Sequence, residues 1–272
     1  MTHNLLQIVS DIHLEFYKKL NEVPIIIRHA PYIALVGDIG NCYTQIYYDF
    51  IYTQSITFSK VFLVLGNHCF YSKRHSVDQI IQQVRDICEK FNNVFLLERN
   101  HYHINNKITL LGATLWSNID SYSSWHINDF KNILVLPKKT KYMRSDINFN
   151  LNICLTREIY IEYHKRDLSY IEEQLEILEK ENRQVIILTH YAPSHKMQGI
   201  YENSKIKSAF ATNLEYLFKP PVIAWGSGHL HSNVDTTINN IRSVSNCMGY
   251  PKEETNYKEN VVIKVDLIGT NY

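Results

Sequence analysis

The chain has 272 residues, 45% of them hydrophobic and 20% charged, enough for one large α/β domain with a substantial core. Its 28 Lys and Arg against 27 Asp and Glu leave a formal charge of +1, so no global field draws it to nucleic acid or acidic membrane. Cys42, Cys69, Cys88, Cys154 and Cys247 form no CxxC pair, which argues against a disulfide framework and a cysteine-rich zinc site.

The chain enters a strand without a basic leader, and no apolar run approaches the roughly 20 residues of a membrane span. The expectation is a cytoplasmic protein with no membrane partner. Leu5 to Ser10 is an apolar run ending in Asp11-Ile12-His13, with Asp11 and His13 on the same side of the strand's extension. Tyr32 to Val36 repeats the device and ends in Gly37-Asp38. Tyr43 to Phe58 has helical spacing and reads as a crossover helix. Val61 to Phe70, VFLVLGNHCF, is a strand buried on both faces that runs into Gly66, Asn67 and His68, at the end where open α/β sheets place their ligands. Ser76 to Phe91 predicts an amphipathic helix N-capped by Ser76.

From Asn93 the period changes. Val94 to Leu97, His101 to Ile104 and Lys107 to Ala113 read as strands, with a tight turn at Asn105-Asn106. Ser117 to about Asn152 is irregular and reads as an insertion over the top of the fold, with a basic cluster (Lys138, Lys139, Lys141, Arg144) taken as a solvated loop. Thr156 to Asn182 predicts a long amphipathic helix. Gln184 to Thr189 is a buried strand ending in His190. Ala209 to Phe218 predicts a short helix stopped by Pro220-Pro221. Val222 to Trp225 ends in Gly226-Ser227-Gly228-His229-Leu230-His231, and Val234 to Ile238, Ile241 to Val244 and Asn260 to Leu267 alternate like antiparallel strands. No repeat or linker divides the chain, so residues 1–272 are expected to form one domain.

Five buried-type strands thus end in Asp11, His13, Asp38, Asn67, His68, His190, His229 and His231. Imidazoles gathered with carboxylate and amide oxygens suit divalent Zn, Mn, Fe or Ni. The set exceeds the roughly four to six ligands of one ion, which points to two ions about 3.5–4 Å apart, the spacing that serves an in-line phosphoryl displacement. The other histidines read as surface or loop residues, His126 and His195 being the first candidates for exceptions.

SDIH, VGDIG, LGNH, LTHYAPSH and GHLH, in this order, resemble the calcineurin-like metallophosphoesterases, and GATLW, AFATNLE and MGYPKE are similar to a branch of small cytosolic ones. The resemblance implies a four-layer αββα sandwich with two mixed sheets. It implies one ion on Asp11, His13 and His231, a second on Asn67, His190 and His229, and Asp38 as the bridge. It further implies hydrolysis of a phosphate mono- or diester by a metal-bridging hydroxide, with His68 neutralising charge and protonating the leaving oxygen. The expected partner is a small phosphate ester, with nucleotides included and nucleic acid disfavoured.

One position departs from the family. Cys69 stands where an acid usually follows Gly-Asn-His, so either Cys69 merely packs and another acid orients His68, or the phosphatase is weaker. Two rival readings are a binding scaffold that has lost catalysis, against which every ligand position is kept, and a protein Ser/Thr phosphatase. Against the latter, the arginines of its phosphate-binding motifs are absent around Asp38 and Asn67. Substrate choice is expected in Ser117 to Asn152 and Tyr191 to Tyr201, with Tyr122, Trp125 and Tyr201 as candidate stacking rings.

Overall fold

The computed structural model describes residues 4–136 and 152–265. The first sheet has five strands in the order β13-β1-β2-β3-β4: β1 (Leu5–Val9), β2 (Tyr32–Val36), β3 (Lys60–Val64) and β4 (Val94–Leu96) run parallel, and β13 (Val262–Lys264) pairs antiparallel with β1. The second has six, in the order β11-β12-β10-β9-β6-β5. Here β6 (Ile108–Ala113), β9 (Gln184–Thr189), β10 (Val222–Ser227) and β12 (Ile241–Asn246) are parallel, with β5 (Asn100–His103) and β11 (Asn233–Ile238) antiparallel at the edges.

Alternation along each strand explains the layering. In β3, Phe62 and Val64 face the other sheet and join Leu6, Ile8, Leu110 and Ile186 in the core between them. Val61 and Leu63 face outward, where they meet the helices α1 (Gln45–Thr57) and α2 (Val77–Cys88). The outward residues of the second sheet, Leu111, Ile187 and Trp225, pack under α5 (Arg157–Lys180). The architecture is therefore α-β-β-α with two mixed sheets, and the near-continuous apolar runs follow from strands buried on both faces.

Local chemistry sets the helix ends. Ser76 accepts from the Gln79 amide while Gln79 Oε1 accepts from the Ser76 amide, a reciprocal cap that starts α2. The buried stripe Val77, Ile80, Ile81, Val84 and Ile87 then fastens the helix, each side chain worth roughly 1.5–3 kcal/mol of burial. Thr156 caps α5 by a one-way bond, its Oγ1 accepting from the Ile159 amide. In the β5–β6 hairpin, Asn105 Oδ1 accepts from the amides of Lys107 and Ile108, both at 2.8 Å.

Two expectations need correction. Residues 209–218 are not a helix but two single 3-10 turns, Lys207–Ala209 and Glu215–Leu217. Backbone donors there are taken by a neighbouring segment, Thr212 N by Ala192 O and Leu214 N by Pro193 O, so no helical ladder can form. The segment after Ser117 is also more ordered than an irregular loop. It carries α3 (Ser121–His126), α4 (Asp129–Asn132) and a two-stranded ribbon of β7 (Leu134–Val135) and β8 (Ile153–Cys154). The basic cluster at 138–144 and the end of the 260–267 strand lie outside the described residues.

The turn after β6 is strained, with Leu115 at φ 70° and Trp116 at φ 31°. It is clamped from α5: Asp167 Oδ2 accepts from the Leu115 amide at 2.9 Å, and His164 Nδ1 donates to the carbonyls of Leu115 and Trp116 at 3.0 Å. The neighbouring Thr114 carbonyl accepts from the amides of His190 and Tyr191. Asp167 and Glu98 are both buried and share the Arg99 guanidinium, with Arg166 a further 3.8 Å from Asp167. Burial and the Glu98 charge push the Asp167 carboxyl up to about 7. Removing the guanidinium in Arg99→Met leaves two buried acids face to face and should lower unfolding stability by about 3–5 kcal/mol in urea titration. A loss below about 1 kcal/mol would contradict this account.

Candidate metal centre

Strand ends from both sheets converge on one point. His13 N donates to Asp38 O and Gly228 N to His190 O, both at 2.9 Å, and His68 N reaches Asp38 Oδ1 at 2.8 Å. Turning side chains from parallel strands onto one centre requires unusual backbone. Asp11, His13, Asp38, His229 and His231 all have φ between 44° and 68°, the left-handed region that non-glycine residues seldom adopt.

Asp11, His13, Asp38, Asn67 and His190 are buried, and three triads bring one ligand atom from each member within 4.8 Å of the others: Asp11, His13, His231; Asp38, His190, His229; and, at the rim, His13, Glu15, His68. Asp38 Oδ2 lies 3.4 Å from His190 Nε2 and 4.0 Å from His13 Nε2, so it faces both of the first two triads. Asn67 Oδ1 lies 3.0 Å from His190 Nε2. All eight residues named from the sequence therefore gather here. His68 belongs to neither of the two triads that contain an Asp, its ring edge-on to His13 with centroids 4.7 Å apart and its side chain 18% exposed.

The donor chemistry tests whether cations fit. His13 Nδ1 faces Glu15 at 2.9 Å and His231 Nδ1 faces Glu253 at 2.7 Å. A carboxylate only accepts, so both Nδ1 atoms carry a proton and each ring turns its Nε2 toward the centre, where a bound ion would take the place of a second proton. Those two nitrogens lie 3.0 Å apart, beside Asp11 Oδ1 at 3.5 Å from His231. At the second point His190 gives Nδ1–H to Val36 O, leaving Nε2 among Asn67 Oδ1 and Asp38 Oδ2. His229 Nε2 donates to Ala209 O, which frees Nδ1. Electron-rich atoms thus converge at two points, and a cation at each relieves the repulsion. The residues fit two divalent ions.

The charges of the centre without an ion follow from the same contacts, and a bound ion would displace the proton that His231 otherwise holds. Burial opposes ionisation of Asp38, but the neighbouring His190, His68 and His13 hold its carboxyl well below the usual range. Burial and the adjacent His190 depress His229 to about 3. His231 is raised to about 9, where Asp11 and Glu253 outweigh burial.

Four contributors went unnoticed in the sequence. Glu15 Oε1 holds both His13 and His68, at 2.9 and 3.2 Å. It sits two residues past His13, a spacing that could have flagged it. Glu253, which secures His231, lies in the MGYPKE stretch. Tyr250 places its hydroxyl 3.4 Å from His68 Nε2. Asp129 comes from the segment read as an insertion. It is buried and accepts from Asn67 Nδ2 at 2.9 Å and Tyr71 OH at 2.7 Å, which turns Asn67 Oδ1 toward His190. Cys69 is buried and its thiol, pushed by burial to about 12, accepts from the Gly66 amide. It packs, and Glu15 meets the imidazole. Of the other candidates, His126 and Tyr201 line the cleft, whereas His195 bonds to Gln198 and Trp125 projects into solvent.

Residues 7–233 match the model of the calcineurin-like phosphoesterase family. The chain belongs to that family. It is a metal-dependent hydrolase of phosphate esters that uses two divalent ions. The uncharacterized protein L509 of Acanthamoeba polyphaga mimivirus is 30% identical over 282 residues, spanning 96% of this chain and 97% of its own. The fold is similar to that of the phosphopantetheinyl hydrolase PptH from Mycobacterium tuberculosis, with a TM-score of 0.67 and 15% identity over 92% of this chain and 91% of the other. TT1561 of Thermus thermophilus gives 0.50 and 12% over 90% and 89%. Among the described residues of this phosphoesterase, no helix is long and apolar enough to cross a membrane.

Close packing makes the centre intolerant of one added carbon. A Cβ at Gly66 would lie 2.2 Å from Asp38 Oδ1 and 2.7 Å from His190 Nε2. Gly66→Ala should therefore keep its circular dichroism yet retain less than one equivalent of metal by elemental analysis. Two retained equivalents would show that the ions sit elsewhere.

Proposed function

We propose that the chain hydrolyses a small phosphate ester, with Asp11, His13 and His231 on one ion, Asn67, His190 and His229 on the other, and Asp38 common to both. The observation that carries this reading is Asp38 Oδ2, which faces a nitrogen of each triad. When bound, the two ions supply Lewis acidity to the phosphoryl group and acidify water. His68 donates its Nε2 proton to the leaving oxygen while Glu15 fixes Nδ1. Asp129 holds the Asn67 amide in one orientation, and Tyr250 borders His68 at the cleft mouth. No Ser, Thr or Cys is among the described residues lining the cleft, which supports direct attack by water.

The cleft measures about 230 Å³, a size suited to a small molecule. Among the described residues lining it there is no Lys or Arg, whereas Asp38, Asp129 and Glu253 are present. The two ions would meet the one charge of a diester, and no side-chain cation is there to pair with the second charge of a monoester, which favours the diester. Manganese, iron, zinc and nickel all suit the donor set. Free cysteines support a cytoplasmic setting. In the same reading, residues 1–272 are one domain; of the insertion at about 117–152, His126 to Asp129 line the cleft, and 137–151 lie outside the described residues.

Loading the metal-free protein with each ion and assaying 4-nitrophenyl phosphate beside bis(4-nitrophenyl) phosphate tests the proposal. The diester should show the higher kcat/KM by at least about tenfold, a difference of roughly 1.4 kcal/mol. Asp38→Ala should lose both ions. His68→Ala should keep both and lose about 10²–10⁴ in kcat on an ester with a poor leaving group. Under one equivalent bound in the parent and no turnover of either ester would sink the proposal.

The pH profile separates Glu15 from Cys69. Burial lowers the His68 pKa, but Asp38 and Glu15 outweigh it and raise it above the usual imidazole value. A general acid must be protonated, so the rate falls as pH rises through that pKa. Glu15→Gln removes one raising charge and should move the alkaline limb to lower pH. Cys69→Ser should leave the limb where it is. A limb that moves with Cys69 and not with Glu15 would reverse the assignment.

A further inference from the structure

A second cleft adjoins the metal centre. It measures about 480 Å³ and is lined by Asn41, Tyr43, Lys73, Arg74, His75 and Asn132, among others. Tyr71 lines both clefts, so one ring forms a wall common to them. That ring stacks on His68 with centroids 4.2 Å apart, and its hydroxyl is anchored on Asp129. The shared wall is thus fixed beside the general acid.

The two clefts divide charge between them. The reaction cleft holds acids and no Lys or Arg, whereas the second holds Lys73 and Arg74 and, among the described residues, no Asp or Glu. The loop that carries the cations is preorganised. Ser72 Oγ accepts from the amides of Arg74 and His75 at 3.1 and 3.0 Å, and Ser72 N donates to Asn132 O at 2.9 Å. Asn152 Nδ2 donates to the Arg74 carbonyl. Tyr43 stacks on His75 with centroids 3.7 Å apart at 14°, giving the cleft a flat aromatic wall.

We infer that this second cleft binds a phosphate group carried by the substrate away from the bond that is cut. Arg and Lys are the side chains that grip phosphate by charge-assisted hydrogen bonds. A side-chain cation there selects a substrate by its remote charge without adding to the charge felt by the scissile group. This inference rests on the diester reading above for the group that occupies the first cleft.

The dinucleotide ApA and its 5′-phosphorylated form pApA differ only in the remote phosphate. The parent enzyme should favour pApA by about tenfold in kcat/KM, mostly through KM. The double substitution Lys73→Ala/Arg74→Ala should bring the pApA to ApA ratio to about one. Arg74→Glu should invert it. The same comparison by calorimetric titration of the metal-loaded His68→Ala protein, whose slow turnover leaves the dinucleotides intact, should show about tenfold tighter binding of pApA, narrowing as NaCl is raised from about 50 to 500 mM. Equal affinities in that protein, or a preference that survives both substitutions, would overturn the inference. If neither dinucleotide is hydrolysed, the diester reading fails, and the titration still decides whether the basic cleft holds phosphate.

Discussion

Everything at this centre depends on bringing electron-rich atoms into contact that repel one another. Asp11, Asp38 and the inward nitrogens of His13, His190 and His231 lie within 3.0 to 3.5 Å of one another, so that a proton or a cation must stand between them. Such an arrangement inside a protein is costly unless a proton or a metal cation occupies the space. The two β-sheets exist, in this sense, to impose it. Their parallel strands end together, and the residues just past those ends are bent into left-handed backbone so that five side chains turn back to a common point.

That bending must be held by the rest of the fold. Each non-glycine residue in the left-handed region costs on the order of 1–3 kcal/mol, and the centre contains five. The total is comparable with the whole stability of an ordinary domain. The continuous core between the sheets and the two flanking cores offset it. The Thr114 to Trp116 turn shows how: strain near His190 is fixed by Asp167 and His164 from a helix on the far side of the second sheet.

The strands and most ligands were legible because their signals are local. An apolar run that ends in Gly-Asn-His or Gly-Asp carries both its burial and its polar ending in ten residues, and five such endings point to one another. Glu253 and Asp129 were not legible for the opposite reason. Each acts through a partner in another part of the chain, Glu253 on His231 and Asp129 on Asn67, 62 positions away. Nothing in the sequence around Asp129 distinguishes it from a solvated acid at the start of a short helix. The 209–218 segment failed as a helix on similar grounds, since long-range backbone pairing with residues 192 and 193 outcompeted its own helical bonds.

Cys69 shows how a departure at one position can be absorbed at another. The thiol is buried and neutral at physiological pH, so it gives His68 no charge. Glu15, on the turn after the first strand, supplies it instead and reaches His13 with the same oxygen. One carboxylate therefore sets the ring orientation of a metal ligand and of the general acid together. Any movement of Glu15 disturbs the two rings in the same sense, which couples the ability to hold an ion to the ability to protonate a leaving group. A carboxylate at position 69 would have left those two tasks independent. This chain ties them through a single oxygen atom.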